Sequence, residues 1–254
     1  MRNIAQRHQI ILQELEKEGF VRVLDLSRRL NVSEVTIRKD LKELEERRLL
    51  YRSHGSASQI SSLINDRHID EKEKVQVTEK NRIGEAANML LKKNDRIIIA
   101  SGTTMLVFAQ KITITDPLTV ITPSVKVSLT LCYKPNVEII QLGGMMRKSS
   151  ATVIGPYAES LLSEMVCNKL FIGVDGIDPD AGLTTSNIGE AHLNQYMLNA
   201  AQEVIVLADS TKFGKRGFGK ICNFNRIHHI ITDIGAPVSF VDFLRDKGIE
   251  VTLV

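Results

Sequence analysis

Four short segments of this chain carry side chains suited to a small anion, and each follows a run of apolar residues. In Ser101-Gly102-Thr103-Thr104 the glycine lets the backbone approach an anion and the hydroxyls can donate to it. A helix opening near Met105 would add free amides and the positive end of a dipole. That combination suits a phosphate; it also describes an ordinary strand-to-helix turn capped by Ser or Thr. Leu142-Gly143-Gly144 is followed by Arg147, whose guanidinium could grip a phosphate or a neighbouring carboxylate. Asp175-Gly176-Ile177-Asp178 offers carboxylates for sugar hydroxyls or proton exchange, with turn-forming Asx residues as the alternative. Asp209-Ser210-Thr211-Lys212 supplies a hydroxyl acceptor and a point charge. Four such loops on one edge of a sheet would indicate a small, anionic, hydroxyl-rich ligand.

A different chemistry is written into Val32 to Leu44. Ser33 is an N-cap candidate, with Glu34 at the positive end of the helix dipole. Ile37, Leu41 and Leu44 share one face by the i, i+4, i+7 rule, while Val35, Lys39 and Lys42 project opposite and Thr36 and Arg38 flank the seam. A helix that buries one edge and offers hydroxyls and cations on the other fits a DNA major groove. An amphipathic surface helix with solvated charges has the same pattern. The candidate DNA contacts are Ser33, Glu34, Val35, Thr36, Arg38, Lys39 and Lys42, joined by Arg52 and His54 from the segment that follows. Asp40 could position the helix by pairing with an arginine.

The elements around that helix decide between the two. Ile4 to Glu18 reads as a helix with Ile4, Ile11 and Leu15 on one face and Gly19 as C-cap. Val23 to Leu30 reads as a short second helix, and Asn31 can take the left-handed turn before Ser33. Helix, short helix, tight turn, helix is the helix-turn-helix order. Leu49 to Ala57 alternates and turns at Gly55, as a small hairpin wing would. Residues 1–60 hold 12 Lys+Arg against 9 Asp+Glu, which accounts for the whole formal charge of +3. The basic residues Arg28, Arg29, Arg38, Lys39, Lys42, Arg47, Arg48 and Arg52 would supply the phosphate-binding term of duplex recognition.

Beyond Thr78 amphipathic helices alternate with short β-branched runs: 96–100, 118–121, 137–142, 170–174, 204–208, 227–232 and 251–253. Runs without polar alternation, separated by helices, are strands buried on both faces of a mostly parallel sheet, and such sheets bind ligands at the carboxyl ends of their strands. The expected organisation is a winged helix-turn-helix domain over 1–57, a linker over 58–77 and an α/β domain over 78–254. The serine-rich stretch 56–62 and the charge run 66–74 read as a linker with solvated charges that becomes helical. Cys132, Cys167 and Cys222, odd in number and widely spaced, read as small buried hydrophobes. The six histidines have no zinc spacing, and no cofactor motif or metal site is expected. The lack of a long apolar run or signal peptide points to a cytoplasmic protein with no membrane partner.

Together these residues resemble the DeoR family of bacterial transcriptional regulators over essentially the whole chain. Val32-Ser33, Thr36-Ile37-Arg38-Lys39-Asp40-Leu41 and Arg52-Ser53-His54-Gly55 are similar to the family's winged-helix signature. The resemblance implies a second half that senses a sugar phosphate and is similar in fold to ribose-5-phosphate isomerase. By that likeness Gly102, Thr103 and Thr104 would hold the phosphate, and Asp175, Glu190 and Lys212 would line the sugar end. Many relatives carry Asp where Ala100 stands and Asn where Pro123 stands. The isomerases place a lysine after their Asp-Gly-x-Asp motif, where this chain reads Pro179-Asp180-Ala181-Gly182-Leu183. The expected function is therefore a regulator, most often a repressor in this family. It would act as a dimer or higher homo-oligomer on operator DNA and be released by a phosphorylated sugar. The alternative is an active sugar-phosphate isomerase with Glu190 as general base, assisted by Asp175 or Asp178, and an appended DNA-binding module.

Overall fold

The computed structural model describes residues 3–18, 20–47, 49–53, 55–58 and 68–254. The head is built from α1 (Ile4–Glu18), β1 (Phe20–Arg22), α2 (Val23–Leu30), α3 (Glu34–Glu46), β2 (Tyr51–Ser53) and β3 (Ser56–Ser58). Asn31 turns the chain in the left-handed region at φ 54° and ψ 50°, and Ser33 caps α3 by accepting from the Thr36 amide at 3.2 Å. Ile11, Leu15, Leu26, Leu30, Ile37, Leu41 and Leu44 close one apolar cluster between the three helices. Ile4, expected on that face, is exposed: the first turn of α1 lies beyond the cluster, and His8 is buried in its place. Asp40 finds its arginine in Arg7, whose Nε and Nη2 donate to the carboxylate at 2.8 and 2.9 Å and so fasten α1 to α3. The wing hairpin turns at Gly55, where φ is +87°. Its strand β3 also pairs with β1, a third strand that the sequence pattern did not reveal. The expectations for Gly19, Arg48, His54 and residues 59–66 lie outside the described residues.

The body follows α4 (Ile69–Glu73) and α5 (Val77–Asn88). Its first half comprises β4 (Arg96–Ile99), α6 (Thr103–Lys111), β5 (Leu118–Thr122), α7 (Val125–Leu131), β6 (Val137–Gln141), β7 (Met145–Arg147), β8 (Thr152–Ile154) and α8 (Pro156–Ser163). The second half comprises β9 (Cys167–Ile172), β10 (Gly176–Asp178), β11 (Gly182–Thr185), α9 (Ile188–Ala200), β12 (Ala201–Leu207), β13 (Gly219–Cys222), β14 (His229–Thr232), α10 (Val238–Asp246) and β15 (Glu250–Leu253). All seven expected runs form one parallel sheet in the order β15-β14-β12-β9-β4-β5-β6. Because side chains alternate along a strand, Ile97 and Ile99 pack against α5, α6 and α7. Ile98, Leu170 and Ile172 pack against α9 and α10 on the other face. Cys167 and Cys222 are buried as expected, whereas Cys132 is exposed at the C-cap of α7.

Strand order decides where a ligand can bind. From the central β4 the chain runs outward to β5 and β6, then returns to the other side of β4 as β9 and runs outward to β15. Connections leave β4 and β9 in opposite directions, so the carboxyl ends of these two neighbours splay around a crevice. The small antiparallel sheet β10-β11-β13 and the hairpin β7-β8 stand beside that opening.

The head is seated on the body through Phe20. Its ring lies 5.1 Å from that of Phe240 and 5.6 Å from that of Phe243, both on α10, and Arg22 Nη1 donates to Asp246 at 2.9 Å. Phe20 is only 1 % exposed. Phe20→Ala should therefore cost about 3–5 kcal/mol of the stability measured in urea, in line with large core truncations. A loss below about 1 kcal/mol would show that this aromatic contact does not hold head and body together.

Candidate functional site

The crevice at the ends of β4 and β9 is lined by Ser101, Gly102, Thr103 and Thr104 on one side and by Gly173, Val174 and Asp175 on the other. Thr185, Glu190, Asn194 and Lys212 extend it, and Ile69 and Lys72 of α4 close a further side with Ser149 and Ser150. At the head of α6 the N-cap is Gly102, at φ +119°, with open space where a Cβ would stand and no side-chain cap bond. The ordinary Ser/Thr-capped turn is thus not what forms here. The first-turn amides of α6 carry the helix dipole and face the crevice without a capping oxygen.

Electrostatics concentrate on Asp175. Its Oδ2 accepts from the Thr185 hydroxyl, the Ser186 amide and the Ser186 hydroxyl at 3.0, 3.0 and 2.9 Å, and its Oδ1 accepts from Lys72 Nζ at 2.8 Å. Burial alone would raise its pKa, but the charge and hydrogen bond of Lys72, the Ser186 amide and the charge of Lys212 outweigh it and bring the value down to about 2. Close by, the buried Lys80 donates to the carbonyls of Lys72 and Val75, both at 2.6 Å. Burial lowers its pKa, while Asp209 pulls the value up and Lys212 pushes it down. Lys72 and Lys212 thus bring two ammonium groups into the crevice, facing the carboxylates of Asp175 and Glu190.

The remaining expected residues fall elsewhere. Gly143 and Gly144 do not line the crevice; a Cβ on Gly144 would meet the Ile154 carbonyl oxygen at 2.6 Å, so this glycine serves the close approach of the β7-β8 hairpin. Gly176 likewise makes room for the Lys215 carbonyl, 2.3 Å from where its Cβ would stand. Arg147 sits behind Glu190 and donates to its Oε1 at 2.9 Å, which is the carboxylate option of the sequence reading. Asp209 is buried as the cap of the short helical turn Ser210–Lys212 and accepts from the Thr211 amide. Asp178 is the turn-former: it accepts from the amides of Asp180 and Ala181 and from Arg216. The charge run before the body is not a solvated linker throughout. Ile69 is buried and its amide donates to Ser149, Lys126 donates to Asp70 and Glu73, and Lys72 enters the crevice. The sequence reading missed Ser149, Ser150, Thr185 and Asn194 of the lining, and it missed Lys72, because a lysine between Glu71 and Glu73 looks like any surface charge.

On the head, Ser33, Val35, Arg38, Lys39 and Lys42 are exposed on α3, with Glu34 and Thr36 half-buried beside them. Their cations are not all idle. Arg38 Nη2 donates to Glu34 at 2.6 Å, Lys42 lies 3.9 Å from Glu46, and Lys39 has no ion pair among the described residues. Arg52 points back from the wing, donating to Glu45 at 2.8 Å and to the Arg38 carbonyl at 3.4 Å, so it braces the wing on α3.

Asp175 is a carboxylate with a depressed pKa, so its contribution is present above the ordinary value of 3.8 and is lost as pH falls toward 2. Asp175→Asn should cost about 2 kcal/mol at pH 7 in urea titrations, with the gap to wild type closing below pH 4; equal stability at pH 7 would contradict this. On duplex DNA, Lys42→Ala should flatten the plot of log affinity against log salt by about one unit. Arg38→Ala should cost about 1–3 kcal/mol on the preferred sequence if it reads a guanine edge. Equal losses for Arg38→Ala on preferred and random duplexes would remove Arg38 from base reading.

Comparison with known proteins gives the geometry its context. Residues 7–63 match the family model of the DeoR-like helix-turn-helix domain, and residues 75–234 match that of the DeoR C terminal sensor domain. The Bacillus subtilis HTH-type transcriptional regulator YulB is 37% identical over 99% of this chain and 97% of its own. The Escherichia coli glycerol-3-phosphate regulon repressor is 29% identical over 98% of both chains. Among solved structures, ribose 5-phosphate isomerase A from Methanocaldococcus jannaschii aligns over 53% of each chain at 17% identity and a TM-score of 0.39. With both family models matched and a relative this similar along its full length, the chain belongs to the DeoR family of transcriptional regulators.

Proposed function

We propose that this protein is a repressor of a sugar-catabolism operon that leaves its operator when a phosphorylated sugar occupies the crevice at the ends of β4 and β9. The observation that carries the reading is the uncapped start of α6, set in one crevice with the ammonium groups of Lys72 and Lys212 at the switch point of the sheet. Free amides, a dipole end and ammonium groups are what a phosphate dianion needs, and Asp175, Glu190 and Asn194 present polar atoms to the hydroxyls of the attached sugar. The name of the Escherichia coli relative places it over a regulon of a small phosphorylated polyol, in keeping with this ligand class.

In this reading residues 1–57 grip DNA, 58–77 connect and 78–254 sense. Ser33, Glu34, Val35, Thr36, Arg38, Lys39 and Lys42 face the major groove, with Arg52 holding the wing. A homo-oligomer presents two heads to half-sites about 34–36 Å apart or a multiple of that. Isomerase turnover has less support. Its general base would be Glu190, which is already bonded to the Arg147 guanidinium. Part of that pair is needed to shape the crevice, so Glu190→Gln should weaken ligand response rather than abolish a reaction.

The test is fluorescence anisotropy on promoter fragments of the protein's own locus, titrated with pentose, hexose and hexosamine phosphates. At least one of them should lower operator affinity about 5–150-fold, the range of a typical allosteric coupling of about 1–3 kcal/mol. If no phosphorylated sugar changes operator affinity, the sensing reading is wrong.

A further inference from the structure

The crevice is narrow. Its free volume is about 70 Å³, against the ~300–1,000 Å³ common for sites that bury a small molecule. A sugar phosphate is therefore fully buried there only if one wall gives way. The strand ends belong to the central sheet, and α9 is held by Leu193, Met197 and Leu198 in the core. The α4 side is different. Of its five residues only Ile69 is buried. The rest of its seating is polar: the Ile69 amide on Ser149, Lys126 on Asp70 and Glu73, Lys80 on the Lys72 carbonyl, and Lys72 on Asp175.

Of those bonds, the one inside the crevice is also the one an anion can replace. Asp175 does not depend on Lys72 alone, since three donors from Thr185 and Ser186 already satisfy Oδ2 and Lys212 lies near. Lys72 can thus leave without stranding a buried carboxylate. Its ammonium, 27% exposed at the rim, swings on four methylenes toward any stronger acceptor in the cavity.

We propose that Lys72 is an effector-binding residue supplied by the linker, and that an incoming phosphate oxygen takes its ammonium from Asp175 Oδ1. This rests on reading the crevice as a phosphate site. Ten residues of sequence separate the end of the wing strand β3 from the start of α4, so the exchanged contact lies next to the head along the chain.

Inorganic phosphate, which has no hydroxylated carbon for Asp175 to contact, is the probe. Its affinity is measured by calorimetry on the full chain, beside a sugar-phosphate panel read by thermal shift. Lys72→Met should weaken phosphate binding about 10-fold, the loss of one charge-assisted contact. Asp175→Asn should strengthen it by about 3–10-fold by freeing the ammonium, and the double variant should show no such gain. A merely structural Lys72 predicts losses in all three variants. Unchanged phosphate affinity in Lys72→Met, or a loss in Asp175→Asn, overturns the proposal while leaving the pocket reading intact. Should wild type respond to neither phosphate nor any sugar phosphate, the pocket reading itself falls. Lys72 stands at the rim of the crevice on α4, so its variant decides the matter alone if Asp175→Asn does not fold.

Discussion

A parallel sheet whose chain leaves its centre in both directions cannot close over the ends of its two middle strands. In this protein those strands are β4 and β9, and the gap between Ile99 and Ile172 is where the functional groups of the body gather. The constraint is topological, so it does not depend on any one side chain. It explains why Ser101 to Thr104 and Gly173 to Asp175, some seventy residues apart in sequence, share one crevice. The small antiparallel sheet and the flanking hairpin serve twice: Thr185, Ser149 and Ser150 line the crevice, while Ile177, Leu183, Ile221 and Val153 pack into the core.

On that frame, charge does the selecting. A buried carboxylate at Asp175 survives because several donors and two lysines face it, which keeps it ionised far below neutral pH. The same lysines share the crevice with the start of α6, where a dianion would meet both ammonium groups and free amides. The head follows a similar economy: Arg38 and Lys42 lie beside carboxylates of their own helix, so a DNA phosphate meeting them would replace one partner by another. Phe20 then seats this head against α10, where Phe240 also meets Phe213, the neighbour of Lys212. The groups that would feel a ligand and those that carry the head are therefore in contact through a few aromatic rings and one short helix.

Much of this was legible in the sequence, for identifiable reasons. Asn31, Ser33 and the Ile37-Leu41-Leu44 seam announce α3, because capping and helical periodicity are local rules. The inner body strands announce themselves as apolar runs because both of their faces are covered, whereas the edge strands β6 and β15 keep polar and exposed positions. What failed was non-local. Gly143 and Gly144 looked like ligand-approach glycines and Gly176 like part of a binding loop, yet Gly144 packs on Ile154 across its hairpin and Gly176 on Lys215, thirty-nine residues on. Arg147 carried two readings until Glu190 was found beside it. Lys72 stood in a run of alternating charges, and only the fold shows which of those charges enters the crevice.

Amide hydrogen exchange on the full chain, with and without an effective sugar phosphate, addresses the central claim most directly. If the anion sits on the head of α6 and loosens α4, amides of Thr103 to Leu106 should gain protection by at least about 10-fold, equivalent to roughly 1.4 kcal/mol, while those of Ile69 to Val75 lose it. Protection confined to other parts of the body, with α6 and α4 unchanged, would contradict the account.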